Sequence, residues 1–310
     1  MAQTKEISRR IKSVTSTKKI TKAMEMVAAA KMRRAIEAVL KTRAYANLSW
    51  ETVLRLAALE KSQDENTHPL LAPRREIKTA AVILITSNRG MCGGYNSAVV
   101  NKAEQSLKKH AGVKTNFILA GRKGASVYQH GHSVIAEFEK SDILNDVREI
   151  NPIIKMAVDD YLSGKYDKIF VAYTDFVNPA KQIPRVKQLL PVELEKVEAD
   201  LGSASVNIPA DGDQAHKTKA VETLLEYTFE PSPREVLDTM IPRLLEIQLF
   251  QAFLEANASE HSARMTAMHQ ATEAASDMVS ELTLFYNKAR QAGITAEIAE
   301  ISAGANALAE

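Results

Sequence analysis

The residues with most chemical promise sit in a glycine-rich turn, Asn88-Arg89-Gly90-Met91-Cys92-Gly93-Gly94, between an apolar run at 80–86 and a helical pattern at 97–109. Backbone N–H groups at the start of a helix point at an anion, so a phosphate could bind there. The turn has neither common phosphate-binding spacing: it reads as neither G-x-G-x-x-G nor G-x-x-x-x-G-K-[ST]. A tight strand-to-helix turn is the better reading, and Gly121-Arg122-Lys123-Gly124 offers less still. Cys92 is the sole cysteine, so it forms no internal disulfide and no multi-thiolate metal site, and no motif gives it a histidine base. His130 and His132 flank Gly131 with no carboxylate close in sequence, which reads as a surface loop. His261 and His269 stand two helical turns apart, too far to share an ion. No nucleophile–base pair and no catalytic carboxylate pair emerges. The expectation is a chain with no catalytic residue, no metal and no cofactor.

The elements that carry these residues are set out by glycine and proline. Residues 1–68 and 243–292 contain neither, whereas all ten prolines and ten of the twelve glycines fall between Pro69 and Pro242. Both residue types disfavour helix interiors, so the pattern predicts two long helices flanking a breaker-rich middle. In the first, apolar residues alternate at spacings of three and four in short runs: Ile7, Ile11, Val14; Ile20, Met24, Val27; Ala28, Met32, Ala35, Val39; Ala46, Trp50, Val53, Ala57. This is coiled-coil periodicity interrupted by phase shifts between runs, so the seam is expected to drift around the helix. In the second, Met268, Ala271, Ala275, Met278, Leu282, Phe285, Ala289 and Ala292 form the expected seam, and a new phase opens after Gly293. Ser232-Pro233-Arg234-Glu235 resembles a capping box that starts this helix, and Pro242 is expected to kink it.

The middle alternates strand and helix signals. Apolar runs at 80–86, 116–120, 133–138 and 168–174 read as strands, with helices at 97–109 and 151–163. That alternation predicts a parallel, doubly wound, Rossmann-like sheet. The fold class is therefore α/β plus long α: an antiparallel coiled coil of terminal helices with a central Rossmann-like domain. The divisions are 1–62 for the N-terminal helix, 75–195 for the α/β domain, 196–231 for a variable loop and connection, and 232–310 for the C-terminal helix.

Composition narrows the function class. An apolar fraction of 45% and a charged fraction of 25% suit an ordinary folded protein. No uncharged apolar stretch reaches the 18 residues of a membrane span, and the basic N-terminus lacks the apolar core of a secretory signal. Net charge is only +2, but residues 1–43 hold twelve Lys and Arg against three Glu, while residues 243–310 hold four against nine acids. A basic helix beside an acidic one leaves a positive excess for an acidic partner. Nucleic acid is not expected, because the basic segment carries no DNA-binding motif and no interleaved aromatics.

Four segments then carry a family resemblance. Ile20-Thr21-Lys22-Ala23-Met24-Glu25-Met26-Val27-Ala28-Ala29-Ala30-Lys31-Met32 resembles the N-terminal helix of the gamma subunits of F-type ATP synthases. Arg89-Gly90-Met91-Cys92-Gly93-Gly94-Tyr95-Asn96 is similar to their central loop. Tyr286-Asn287-Lys288-Ala289-Arg290-Gln291-Ala292-Gly293-Ile294-Thr295-Ala296-Glu297-Ile298-Ala299-Glu300-Ile301 is similar to their C-terminal signature, and Glu260-His261-Ser262-Ala263-Arg264-Met265 also fits. The resemblance implies a rotary shaft whose partners are a ring of three alpha and three beta subunits, an epsilon subunit and a membrane c-ring, with no homo-oligomer. It implies beta-subunit contacts at Met24, Arg290 and Gln291, and charge and position add Lys31, Arg33 and Arg34 toward acidic loops. The tip, with Ile294, Ile298, Ile301 and Leu308 on one face, is expected to run on as a single helix inside an apolar sleeve. A location on the cytoplasmic face of a bacterial inner membrane, or an equivalent energy-coupling membrane, follows from the same resemblance. A different class fits the residues less well: a phosphate- or nucleotide-binding Rossmann-like domain whose coiled-coil arms dimerise.

Overall fold

Two helices open and close the chain in the computed structural model, which describes residues 2–61, 68–72, 74, 76–108, 112–144, 146–192 and 233–309. Helix α1 spans Ala2–Lys61 and the final helix α5 spans Pro233–Ala309. At about 1.5 Å per residue these reach about 90 Å and 115 Å. Helix α5 starts at Pro233 and continues through Pro242 and Gly293 without a break. The expected cap Ser232 and the variable loop and connection at 196–231 lie outside the described residues. The chain forms two compact units, one of residues 1–30 with 264–310 and one of residues 31–263. No described helix is long and apolar enough to cross a membrane.

The larger unit is built on β1 (Thr79–Ile85), α2 (Tyr95–Lys108), β2 (Lys114–Ala120), α3 (Ser126–Gln129), β3 (Ser133–Phe138), α4 (Asn151–Leu162), β4 (Lys168–Asn178) and β5 (Lys181–Leu190). The sheet order is β3-β2-β1-β4-β5. Its first four strands pair in parallel, and β5 pairs antiparallel with β4 at one edge. Strand β1 is central, with Ile83 in register with Ile118 on one side and Val171 on the other. Six of its seven residues are buried, which is why it reads as an unbroken apolar run. On one face Val82, Leu84, Phe117 and Leu119 meet Val99, Val100 and Ala103 of α2. On the other, Ile83, Ile85, Ile118 and Val171 meet Ile153 and Ala157 of α4 and Leu245, Leu249 and Phe253 of α5. Two layers of helix thus cover the sheet, and α5 is part of the core of the domain.

Strand β5 was not expected. Its sequence is polar and contains Pro184, a residue that demotes a strand signal. The strand is tolerated because it lies at the sheet edge, with Pro184 in register with Thr174 of β4. At the opposite ends of the strands, Asp167 accepts hydrogen bonds from the backbone N–H of Lys78 and of Thr79, both at 2.9 Å, and so ties the entry of β4 to that of β1.

Candidate partner interface

Within the smaller unit, α1 and α5 run antiparallel. Glu25 meets His269 at 3.3 Å, Thr272 donates to Thr21 at 2.8 Å, and Lys18 donates to Ser276 at 2.9 Å. Nearer the chain start, Glu6, Ile7 and Arg10 share a groove with Leu282, Phe285, Lys288, Ala289 and Ala292. The Lys22 ammonium, 2.9 Å from Glu25 on the next turn, holds that carboxyl below its usual range, and His269 adds to the effect.

The seam differs from its sequence expectation. On α1 the less exposed positions are Ile7, Ile11, Val14, Lys18, Thr21, Glu25 and Ala28, and the same spacing continues at Met32, Ala35 and Val39. This is one unshifted alternation of four and three. The apparent phase shift arose from following apolar residues alone: Ile20 is 60% and Val27 57% exposed, while polar Lys18, Thr21 and Glu25 hold the seam. On α5, Met268, Ala275, Leu282 and Ala289 are seam residues as expected. The intervening positions are Thr272, Val279, Tyr286 and Gly293, and Met278 and Phe285 are each 51% exposed. A rigid helix keeps its period whatever the residue types, so apolar side chains off that period face outward. Large apolar residues therefore line the outside of this helix pair.

The residues chosen from sequence fall into three groups. Arg33, Arg34, Arg290 and Gln291 are exposed, and Met24 is half-buried. Ile294, Ile298 and Ile301 are 49%, 62% and 72% exposed on the last turns of α5; the side chain of Leu308 lies outside the described ones. Lys31 stands apart, because its ammonium already donates to Asp142 at 2.6 Å. Burial pushes the Asp142 carboxyl up, but Lys31 outweighs it, with smaller contributions from the charges of His261 and Arg89, and holds the group below its usual range.

A second site was not foreseen. Residues 252–262 of α5 are buried at every position, although Glu255, Asn257, Ser259, Glu260, His261 and Ser262 are polar. The loop after β3 satisfies one side: Lys140 pairs with Glu260, Asn257 donates to the Ser141 carbonyl at 3.2 Å, and the His261 Nε2–H donates to the Asp142 carbonyl at 2.9 Å. From the β4 side, Ser259 donates to the Thr174 carbonyl at 3.0 Å, and Ser262 to that of Pro179 at 2.7 Å. The sequence shows only a polar cluster, Glu255-Ala256-Asn257-Ala258-Ser259-Glu260-His261-Ser262, after the largely apolar run 244–254, and nothing in it marks these residues as buried.

This collar also decides the glycine-rich turn. Ligands of open α/β sheets bind outside the carboxyl ends of the strands, at the switch in strand order, here between β1 and β4. In this chain α5 passes through that place: the Tyr95 hydroxyl donates to the Ala256 carbonyl at 3.2 Å, while Ser259 bonds to Thr174. The turn itself is filled by its own side chains, with Asn96 accepting from the Ser87 N–H at 3.0 Å and donating to the Ser87 hydroxyl at 2.8 Å. Cys92 is buried against both, its sulfur 3.2 Å from Asn96. The turn is a strand-to-helix joint. His130 is exposed, as the surface-loop reading expects, and meets Glu104 of α2, a carboxylate distant in sequence, at 2.5 Å.

Comparison with known proteins agrees with this architecture. A family model described as ATP synthase matches residues 3–308. The ATP synthase gamma chain of Symbiobacterium thermophilum is 43% identical over 99% of this chain and 99% of its own length. The chain belongs to the ATP synthase gamma chain family. Solved structures share its fold at lower identity. A chain of the Euglena gracilis mitochondrial ATP synthase, in a structure of its OSCP, F1 and c-ring in rotational state 3, superposes with a TM-score of 0.63. It is 17% identical, over 99% of this chain and 95% of that one. A chain from the rotor of the same organism's enzyme, in rotational state 1, gives 0.57 at 15% identity, over 94% of this chain and 99% of that one.

Proposed function

We propose that the chain is the central-stalk rotor of the F1 sector of an ATP synthase, itself non-catalytic, and that it couples rotation of a membrane c-ring to conformational change at the beta subunits. Family membership over essentially the whole chain carries this reading. The partners are then three alpha and three beta subunits around the helices, with an epsilon subunit and the c-ring at the α/β domain, on the cytoplasmic face of the membrane. Residues 1–62 and 232–310 serve as the shaft, 75–195 as its base, and 196–231 as a connection.

The physics favours such a role. A shaft shifts the equilibrium of a surrounding site only through contacts that differ between rotational positions. An outer face with isolated large apolar residues, such as Ile20, Val27, Met278 and Phe285, is uneven by construction. Exposed Arg33, Arg34, Arg290 and Gln291 add charge and hydrogen-bond donors on particular faces, suited to acidic loops of beta subunits. Half-buried Met24 is a further beta-subunit contact in this reading. Exposed Ile294, Ile298 and Ile301 give the tip an apolar surface for a sleeve formed by the ring, and Leu308 is proposed from the sequence spacing to join them.

The test is composition of the native assembly. Mass measurement of the intact complex purified through a tag on this chain should find one copy of it with three nucleotide-hydrolysing subunits. Two copies in a stable dimer, or nucleotide hydrolysis by the chain alone, would overturn the proposal.

A further inference from the structure

The loop after β3 holds both long helices through three consecutive residues. Lys140 pairs with Glu260 of α5, both side chains being almost fully buried. The Ser141 carbonyl accepts from Asn257, and the Asp142 carbonyl from His261. The Asp142 carboxylate accepts from Lys31 of α1 at 2.6 Å. The loop is anchored in turn by Asn88, after β1, which donates to the Lys140 carbonyl. Across the helix, Ser262 donates to the Pro179 carbonyl and accepts from the Gln182 amide at 3.2 Å.

We infer that the segment Lys140–Asp142 is a torque key: a directional polar lock that keeps α5, and through Lys31 also α1, from turning about its own axis inside the α/β domain. The inference rests on the rotor reading, in which torque enters at that domain and leaves along the helices. Apolar burial is non-directional and opposes rotation of a cylinder in its socket only through side-chain shape. Hydrogen bonds weaken steeply once they leave alignment, and a buried charge that leaves its partner is costly. A collar serving stability alone would be expected to be apolar, because replacing a buried ion pair by packed apolar residues is often neutral or stabilising. Here polar groups are concentrated where α5 is enclosed on every side. Lys31 acts in this scheme as a positioning residue inside the chain, and not as an external contact.

The test uses the full assembled complex carrying K140M/E260L/H261L, with K140M/E260L as the milder variant should the triple fail to fold. Three quantities are read: the unfolding midpoint of the purified chain, the zero-load ATP hydrolysis rate of the complex, and the stall torque on a bead attached to the α/β domain. The expected result is lost stall torque, with the midpoint and zero-load rate near wild type, and partial recovery of torque in the exchanged pair K140E/E260K. Unchanged stall torque in a folded variant, or torque that falls only in step with the unfolding midpoint, would overturn the key. Absence of rotation in the wild-type complex would instead overturn the rotor reading itself.

Discussion

Removing Lys140 should do far more damage than removing Lys140 and Glu260 together. Lys140 has 0% and Glu260 2% side-chain exposure, so neither charge has water to fall back on. Replacing Lys140 by Met leaves the Glu260 carboxylate buried without its ammonium, and Glu260→Leu leaves the ammonium without its carboxylate. Breaking a buried pair in this way costs about 3–5 kcal/mol, whereas replacing both partners by apolar residues of similar volume is near neutral. For a unit of roughly 200 residues, with about 2–4 °C per kcal/mol, each single variant should unfold about 6–20 °C below wild type. The double variant should return to within a few degrees. Urea and thermal unfolding of the purified chain, followed by circular dichroism, give all four corners of the cycle. A double variant as unstable as the sum of the singles would refute the reasoning, since it would mean the two side chains contribute independently.

Three further outcomes are expected. In the helix pair, Val279→Asp should destabilise the smaller unit by about 1–2 kcal/mol, because it places a carboxylate in the partly buried seam, while Met278→Asp should cost about 0.5 kcal/mol at most; equal effects would restore the apolar-only seam. Gly121→Ala should lower stability by at least about 2 kcal/mol in a urea titration, since the residue has φ +104° and an added Cβ would lie 2.3 Å from the Thr86 carbonyl oxygen. Burial raises the Asp167 carboxyl, but the Lys78 and Thr79 N–H groups outweigh it, so its folded pKa lies below the unfolded value, as does that of Asp142. Both therefore contribute stability that is complete above the ordinary aspartate range near 4 and is lost as pH falls through the lowered folded values. Asp167→Asn should flatten this acid limb in unfolding measured from pH 6 to 2, and a limb of unchanged slope would contradict the assignment.

The parts of the fold legible in the sequence were those set by backbone chemistry. Gly and Pro placement marked both long helices, and the unbroken apolar run of β1 announced a strand covered on both faces. Strand β5 was hidden because its edge position asks for no apolar pattern and permits Pro184. The seam was half legible: Met268, Ala275, Leu282 and Ala289 are apolar and central, but Thr272 and Tyr286 share their period without sharing their chemistry. The collar was the least visible. Glu260 and His261 pair with residues 119 or more positions away in the chain, so no local spacing could reveal that they are buried. Lys31 shows the same thing for a candidate contact: as one cation in a basic helix it looked free for an external partner, and only the tertiary structure brings it to Asp142.

The central claim, that this chain turns inside a ring of catalytic subunits, is tested most directly by watching it turn. The complex is fixed to a surface through its beta subunits, and a gold bead is attached to a cysteine placed on the exposed face of the α/β domain, at Tyr128→Cys. With ATP supplied, the account predicts unidirectional rotation in three equal steps per revolution, one for each catalytic site. Sustained ATP hydrolysis with the bead stationary would contradict it.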